Sequence, residues 1–165
     1  MKRILFICHG NICRSPMAEF IFKKLILERG CASRFAVASA ATSDEEIWNG
    51  VGSPMYPPAK AMLRQQGIPY EERRAVRLTK GDYERYDLLI GMDHANFRQM
   101  HRLFGSDPSG KLHLLLDFTA RGGEVADPWY SGRFDVAFRD IYEGCQALLD
   151  TLLKEKRVDN FSLHS

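Results

Sequence analysis

Cys8-His9-Gly10-Asn11-Ile12-Cys13-Arg14-Ser15 lies between an apolar run, Ile4 to Ile7, and a strongly patterned stretch that begins near Pro16. An apolar run without alternation suits a central parallel strand covered on both faces, so the octapeptide reads as the turn between a first strand, Lys2 to Ile7, and a first helix. Gly10 and Asn11 permit tight backbone turns, and the positive end of the following helix points at the same spot, so successive N–H groups can converge on one anion. The expected product is a phosphate-holding loop made by His9, Gly10, Asn11, Ile12, Cys13 and Arg14.

Cys8 stands at one rim of this loop, with Arg14 and Ser15 at the other. A thiol becomes nucleophilic as its thiolate, and a helix N-terminus with a nearby arginine can lower a cysteine pKa to roughly 3.5–7.5. Arg14 can fork two N–H groups onto two phosphoryl oxygens and tighten as charge develops. Ser15 can donate its hydroxyl to the sulfur. Cys-x5-Arg-Ser therefore suits attack on phosphorus in line with a leaving oxygen. Two inert buried cysteines beside a surface arginine are the plainer alternative, and the strand-loop-helix context weighs against it.

Downstream, Pro16 opens a helix with Glu19 in its first turn; Ala18, Ile21, Phe22, Leu25 and Ile26 share one face, and Gly30 stops it. Arg34 to Ala41 is expected as the second strand. Ala41 to Pro58, with Gly50, Gly52, Pro54 and Pro57, reads as a long loop. A short helix follows over Pro58 to Gln66, then a charge-dense run, Glu71 to Lys80, in which Arg73, Arg74 and Arg77 read as a solvated face. Leu88 to Met92 is the third strand. Asp93 caps a helix that turns Phe97, Met100 and Phe104 inward and ends at Gly105.

Gly105 to Leu112 imitates a nucleotide-binding loop, but it follows a helix and leads into a fourth strand, Leu112 to Leu116, so it reads as a surface turn. Asp117 to Tyr130 is a second loop, where Pro128 holds Asp127 out of helical geometry. The last helix is expected from about Phe134 to Lys156, with Phe134 and Cys145 in its core stripe. The tail beyond Val158 is expected to fray. This order predicts an α/β fold: one small doubly wound domain over residues 1–157, a central parallel sheet of about four strands with helices on both faces, and a C-terminal tail at 158–165. Ligands bind beyond the carboxyl ends of such strands, where Cys8 lies.

At 165 residues, with 45% hydrophobic and 27% charged residues, the chain suits one globular domain. The formal charge of +2 comes without a basic stripe interleaved with aromatics, so no nucleic-acid partner is expected. The apolar start is too short for a signal peptide, no stretch approaches a bilayer's thickness, and a cytoplasmic protein with no membrane partner is expected. Cysteines at 8, 13, 31 and 145 lack the spacing of a disulfide framework or zinc site, and the histidines show no ligand pattern, so neither a metal nor a cofactor is expected. Cys13 follows Cys8 closely in a curled loop. A reversible Cys8–Cys13 disulfide and a merely packing Cys13 are both open readings.

Ile7-Cys8-x-Gly-Asn-Ile-Cys-Arg-Ser-Pro16 resembles the signature loop of the low-molecular-weight protein tyrosine phosphatases, and Asp127-Pro128-Trp129-Tyr130 resembles that family's downstream Asp-Pro pair. The resemblance spans nearly the whole chain. It implies hydrolysis of phosphotyrosine monoesters through a cysteinyl-phosphate, with Cys8 as nucleophile, Arg14 as clamp, Asp127 as acid and then base, and Ser15 easing departure of the thiolate. It also implies that Ser39 braces Asn11, and that Trp48, Trp129 and Tyr130 form an aromatic slot for the phenyl ring, with His9 and Ile12 facing the opening. Trp129 departs from the Tyr or Phe common there, and Asp44 to Ile47 is longer than in many relatives. The expected partners are a tyrosine-phosphorylated protein or peptide and a tyrosine kinase, and the expected state is a monomer or weak dimer. Three rivals remain: an arsenate reductase, which needs two further closely spaced cysteines; a phosphoarginine phosphatase, whose loop carries Thr where this chain has Ile12; and a non-catalytic phosphopeptide-binding module.

Overall fold

In chain order the elements are β1 (Lys2–Cys8), α1 (Arg14–Glu28), β2 (Phe35–Ala41), β3 (Ile47–Trp48), β4 (Val51–Gly52), α2 (Pro57–Gln65), α3 (Asp82–Arg85), β5 (Leu88–Gly91), α4 (His94–Phe104), β6 (Leu112–Leu114), α5 (Pro128–Ser131) and α6 (Phe134–Leu163). The computed structural model describes residues 1–163, and side chains through residue 155. β1 sits inside a four-stranded, all-parallel sheet of order β2-β1-β5-β6. Its unbroken apolar run has a direct cause: Ile4, Phe6 and Cys8 belong to the core beneath α1 and α6, whereas Leu5 and Ile7 belong to a second core with Leu89 and with Met100 of α4. A strand covered on both faces needs apolar residues at both parities. The α/β architecture expected from the sequence is the one observed.

Boundaries differ where local packing intervenes. α1 begins at Arg14, two residues before Pro16, and the proline sits in the first turn, where its missing N–H has no helical partner to lose. The fourth strand stops at Leu114. Leu115–Phe118 instead coils into a 3₁₀ turn, burying Leu115 and Leu116. Gly144 of α6 admits this turn, since a Cβ there would lie 2.6 Å from the Leu115 side chain. The long loop after β2 contains a small antiparallel hairpin, β3–β4, turned by Asn49 (φ 51°) and Gly50 (φ 77°), a pair suited to a two-residue reversal. α6 runs through Leu163 rather than ending near Lys156, because no glycine or proline follows Gly144 within it. Of the tail expected at 158–165, residues 164–165 lie outside the described residues.

The Gly105–Leu112 segment is a turn organised around Asp107. Its carboxylate accepts from the Tyr83 hydroxyl at 2.6 Å, Lys111 N–H at 2.8 Å and Leu112 N–H at 3.2 Å. Backbone donors that a nucleotide phosphate would need are already engaged. Among the described residues, no helix is long and apolar enough to cross a membrane.

Candidate active site

β1 delivers Cys8 to the carboxyl edge of the sheet, and the chain then turns through Asn11, which is fully buried with φ 59°, into α1. Asparagine tolerates this left-handed geometry better than most residues. Neighbouring segments hold the loop from outside: Thr42 N–H donates to Cys8 O at 3.0 Å, Ser43 N–H to His9 O at 3.1 Å, and Tyr56 N–H to Ile12 O at 2.8 Å. Cys8 Sγ lies 3.0 Å from Ser15 Oγ, and Ser15 N–H donates to the sulfur at 3.4 Å. Asn11 Nδ2 donates to Ser15 Oγ at 2.8 Å. That bond uses the hydroxyl as acceptor and leaves its hydrogen for an anionic sulfur. No side chain caps the start of α1.

The brace on Asn11 is not Ser39. Ser39 pairs with Phe6 in the sheet, two residues before β2 ends, and its hydroxyl donates to Glu19 Oε1 at 2.7 Å. Arg73 does the bracing: Nη1 donates to Asn11 O at 2.6 Å and Nη2 to Asn11 Oδ1, which also accepts Val76 N–H at 3.0 Å. Arg73 is therefore half-buried rather than part of a solvated face. Its segment runs beside the end of β2, through Ala41 N–H to Val76 O and Leu78 N–H to Ala41 O, and this pins Arg73 against the loop. Arg74, its neighbour, turns elsewhere and donates to Gly52 O at 3.0 Å. Burial pulls the Arg73 guanidinium below its ordinary pKa, with Glu19 and Cys8 partly opposing. Arg73→Met leaves Asn11 O and Oδ1 short of a donor, and a stability loss of about 1–3 kcal/mol is expected in urea denaturation, with Arg73→Lys recovering part of it.

Arg14 is 3% exposed. Nη1 donates to Asp93 Oδ2 and to Val125 O, each at 2.8 Å, whereas Nη2 stands 3.6 Å from Asp127 Oδ2. One nitrogen is thus anchored by protein and the other faces the cleft. Burial opposes the charge, but Cys8, Asp93 and Asp127 more than offset it and hold the guanidinium above its ordinary pKa. Asp93 serves twice, since its other oxygen accepts Asn96 N–H at 2.8 Å and caps α4. The sequence reading found only the cap. Asp127 opens α5, where Oδ1 accepts Trp129 N–H at 3.0 Å.

Cys8, His9, Gly10, Ile12, Cys13 and Arg14 form the base of one cleft, with Asp127, Trp129 and Tyr130 on one wall. Trp48 does not reach it. The tryptophan stands 73% exposed opposite Val51 on the β3–β4 hairpin, whose tight turn carries it away from the opening. Glu45 and Glu46 occupy the rim where Trp48 was expected, and Glu45 Oε2 lies 2.9 Å from His9 Nε2. Tyr56 and Phe134 complete the aromatic lining. Neither was singled out from sequence: Tyr56 looked like a loop residue before two prolines, and Phe134 fitted the core stripe of the last helix. Burial pushes the Cys13 thiol up, the charge of Cys8 adds to this, and Arg14 offsets only part. Among the described residues, no three His, Cys, Asp or Glu side chains converge as metal ligands.

The family model described as low molecular weight phosphotyrosine protein phosphatase matches residues 3–158. The low molecular weight protein-tyrosine-phosphatase YfkJ of Bacillus subtilis is 32% identical over 160 residues, covering 96% of this chain and all of YfkJ. The low molecular weight phosphotyrosine protein phosphatase of Sus scrofa is 33% identical over 159 residues, covering 94% of this chain and 96% of that protein. The crystal structure of YfkJ superposes with a TM-score of 0.89, covering 94% of this chain and 97% of that one.

Proposed function

The chain belongs to the low molecular weight phosphotyrosine protein phosphatases, a family of hydrolases, and from that premise we propose that it cleaves phosphotyrosine monoesters in proteins through a phosphate bound to Cys8. The observation that carries this reading is the convergence of Cys8, Arg14 and Asp127 on one cleft. The Cys8 thiolate attacks phosphorus while Arg14, anchored through Nη1, grips equatorial phosphoryl oxygens with its remaining donors. Asp127, protonated, gives its proton to the departing phenolate; as carboxylate it then takes a proton from the water that cleaves the S–P bond. Ser15 donates to the sulfur as it leaves. Trp129, Tyr130, Tyr56 and Phe134 offer apolar faces to an aryl ring, which a short serine ester would not fill.

The rivals are not favoured. Cys31 and Cys145 are buried, Cys145 with its sulfur against Ala18 O in the core, and neither forms the mobile pair that an arsenate reductase relay needs. The aromatic walls beside Ile12 favour tyrosine over arginine esters. A pure binding module needs neither a nucleophile nor an acid. Cys13 lines the same cleft, and the redox role proposed for it is capture of an oxidised Cys8: peroxide converts the thiolate to sulfenic acid, and the Cys13 sulfur displaces water to form the disulfide. The same reading places the protein in the cytoplasm as a monomer or weak dimer acting on the products of a tyrosine kinase.

Asp127→Ala tests the assignment of the acid. Loss of a positioned general acid costs about 10²-fold or more on an ester with a poor leaving group. A p-nitrophenolate departs without help. kcat/KM for phenyl phosphate is therefore expected to fall at least ten times further than kcat/KM for p-nitrophenyl phosphate, and an equal fall on both would remove Asp127 from the role.

A further inference from the structure

Tyr56 touches both halves of the chemistry at once. Its N–H donates to Ile12 O of the phosphate loop at 2.8 Å, and its ring lies 5.0 Å from the Trp129 ring and 5.8 Å from that of Phe134, centroid to centroid. Its own backbone has little freedom, because Met55 before it is 1% exposed and Pro57 and Pro58 follow it into α2. The acid loop, by contrast, is a separate segment, held on either side of Asp127. Upstream, Val125 N–H donates to Met92 O at 2.9 Å while Val125 O accepts from Arg14 at 2.8 Å. Downstream, Pro128 is buried, Trp129 is 59% and Tyr130 87% exposed, and the Trp129 ring packs against that of Tyr56. Asp127 sits between the two anchors, and its carboxylate is tied to Trp129 N–H at 3.0 Å.

We propose that Tyr56 is a positioning residue for the general acid: its ring, fixed to the phosphate loop through its own backbone, holds the α5 turn so that Asp127 meets the leaving oxygen above Cys8. The proposal rests on the reading of Asp127 as acid. The ring is assigned the holding, since its contacts with Trp129 and Phe134 are ring to ring. A ring that only walled the cleft would act on every aryl ester alike. A ring that positions the acid acts most on esters that need the proton.

The test compares kcat/KM for phenyl phosphate and p-nitrophenyl phosphate in the wild type, Tyr56→Leu, Tyr56→Phe and Asp127→Ala. Tyr56→Leu is expected to lose roughly ten-fold more on phenyl phosphate than on p-nitrophenyl phosphate, the direction of Asp127→Ala at a fraction of its size. Tyr56→Phe is expected to keep the wild-type ratio. Trp129→Leu breaks the same contact from the other side and should reproduce the asymmetry, with Tyr56→Leu adding little on top; it also supplies the reading if Tyr56→Leu does not fold. An equal loss on both esters, or none, with Asp127→Ala still asymmetric, overturns the role of Tyr56 alone. A symmetric Asp127→Ala overturns the parent reading instead.

Discussion

Cys8→Ser is expected to lower turnover of aryl phosphates by about 10⁴-fold or more, while leaving the fold and phosphate binding in place. The substitution exchanges one buried atom for a smaller one at a residue 3% exposed, so packing changes little. What changes is the nucleophile. Around this position stand Ser15 N–H, 3.4 Å from the sulfur, and Ser15 Oγ at 3.0 Å, and neither group is basic enough to take the proton of a serine. On the proposed mechanism Asp127 is already committed as an acid in the first step. The check is steady-state hydrolysis of p-nitrophenyl phosphate alongside vanadate binding. Loss of rate with retained binding is the expected pattern, and activity within ten-fold of wild type would refute a sulfur nucleophile.

The second large effect is expected at Arg14. Arg14→Lys keeps a positive charge yet should cost about 10³-fold in kcat/KM, because a single ammonium cannot hold Asp93 and Val125 O and also present a planar pair of donors to the phosphoryl group. The same change leaves buried acceptors short of a donor, so a stability loss of about 1–3 kcal/mol should accompany it. Denaturation and kinetics separate the two consequences. Recovery of most of the rate by lysine would mean that charge alone suffices and that the anchoring through Nη1 is incidental.

Sequence periodicity carried the fold because β1 and α1 obey local rules: a strand buried on both faces is apolar throughout, and a helix packed on it repeats its apolar face. The phosphate loop was legible for a similar reason, since Cys8, Arg14 and Ser15 lie within one turn of chain. Asp127 was singled out only through the resemblance of its Asp-Pro pair to that of the family. The remaining partners depend on segments distant in sequence that meet only after folding. Arg73 is 62 residues from Asn11, and Asp93 is 79 from Arg14. No local pattern distinguishes a guanidinium aimed at a carbonyl from one aimed at water, so a charge-dense run hid Arg73. Trp48 failed in the opposite way. Its residue type suited an aromatic wall, but the Asn49-Gly50 reversal turned it outward, and a reading of that pair as a hairpin signal would have warned of this. Tyr56 had no local mark beyond the two prolines after it, and Phe134 satisfied a core pattern equally well.

The proposed transfer of phosphate to Cys8 can be tested directly. Enzyme mixed with a radiolabelled aryl phosphate, quenched within the first turnover and digested, is expected to carry label on the peptide that contains Cys8, as a phosphocysteine that survives in the quench and is absent from Cys8→Ser. Rapid release of phenol with label on no peptide, or on a peptide lacking Cys8, would contradict a cysteinyl-phosphate.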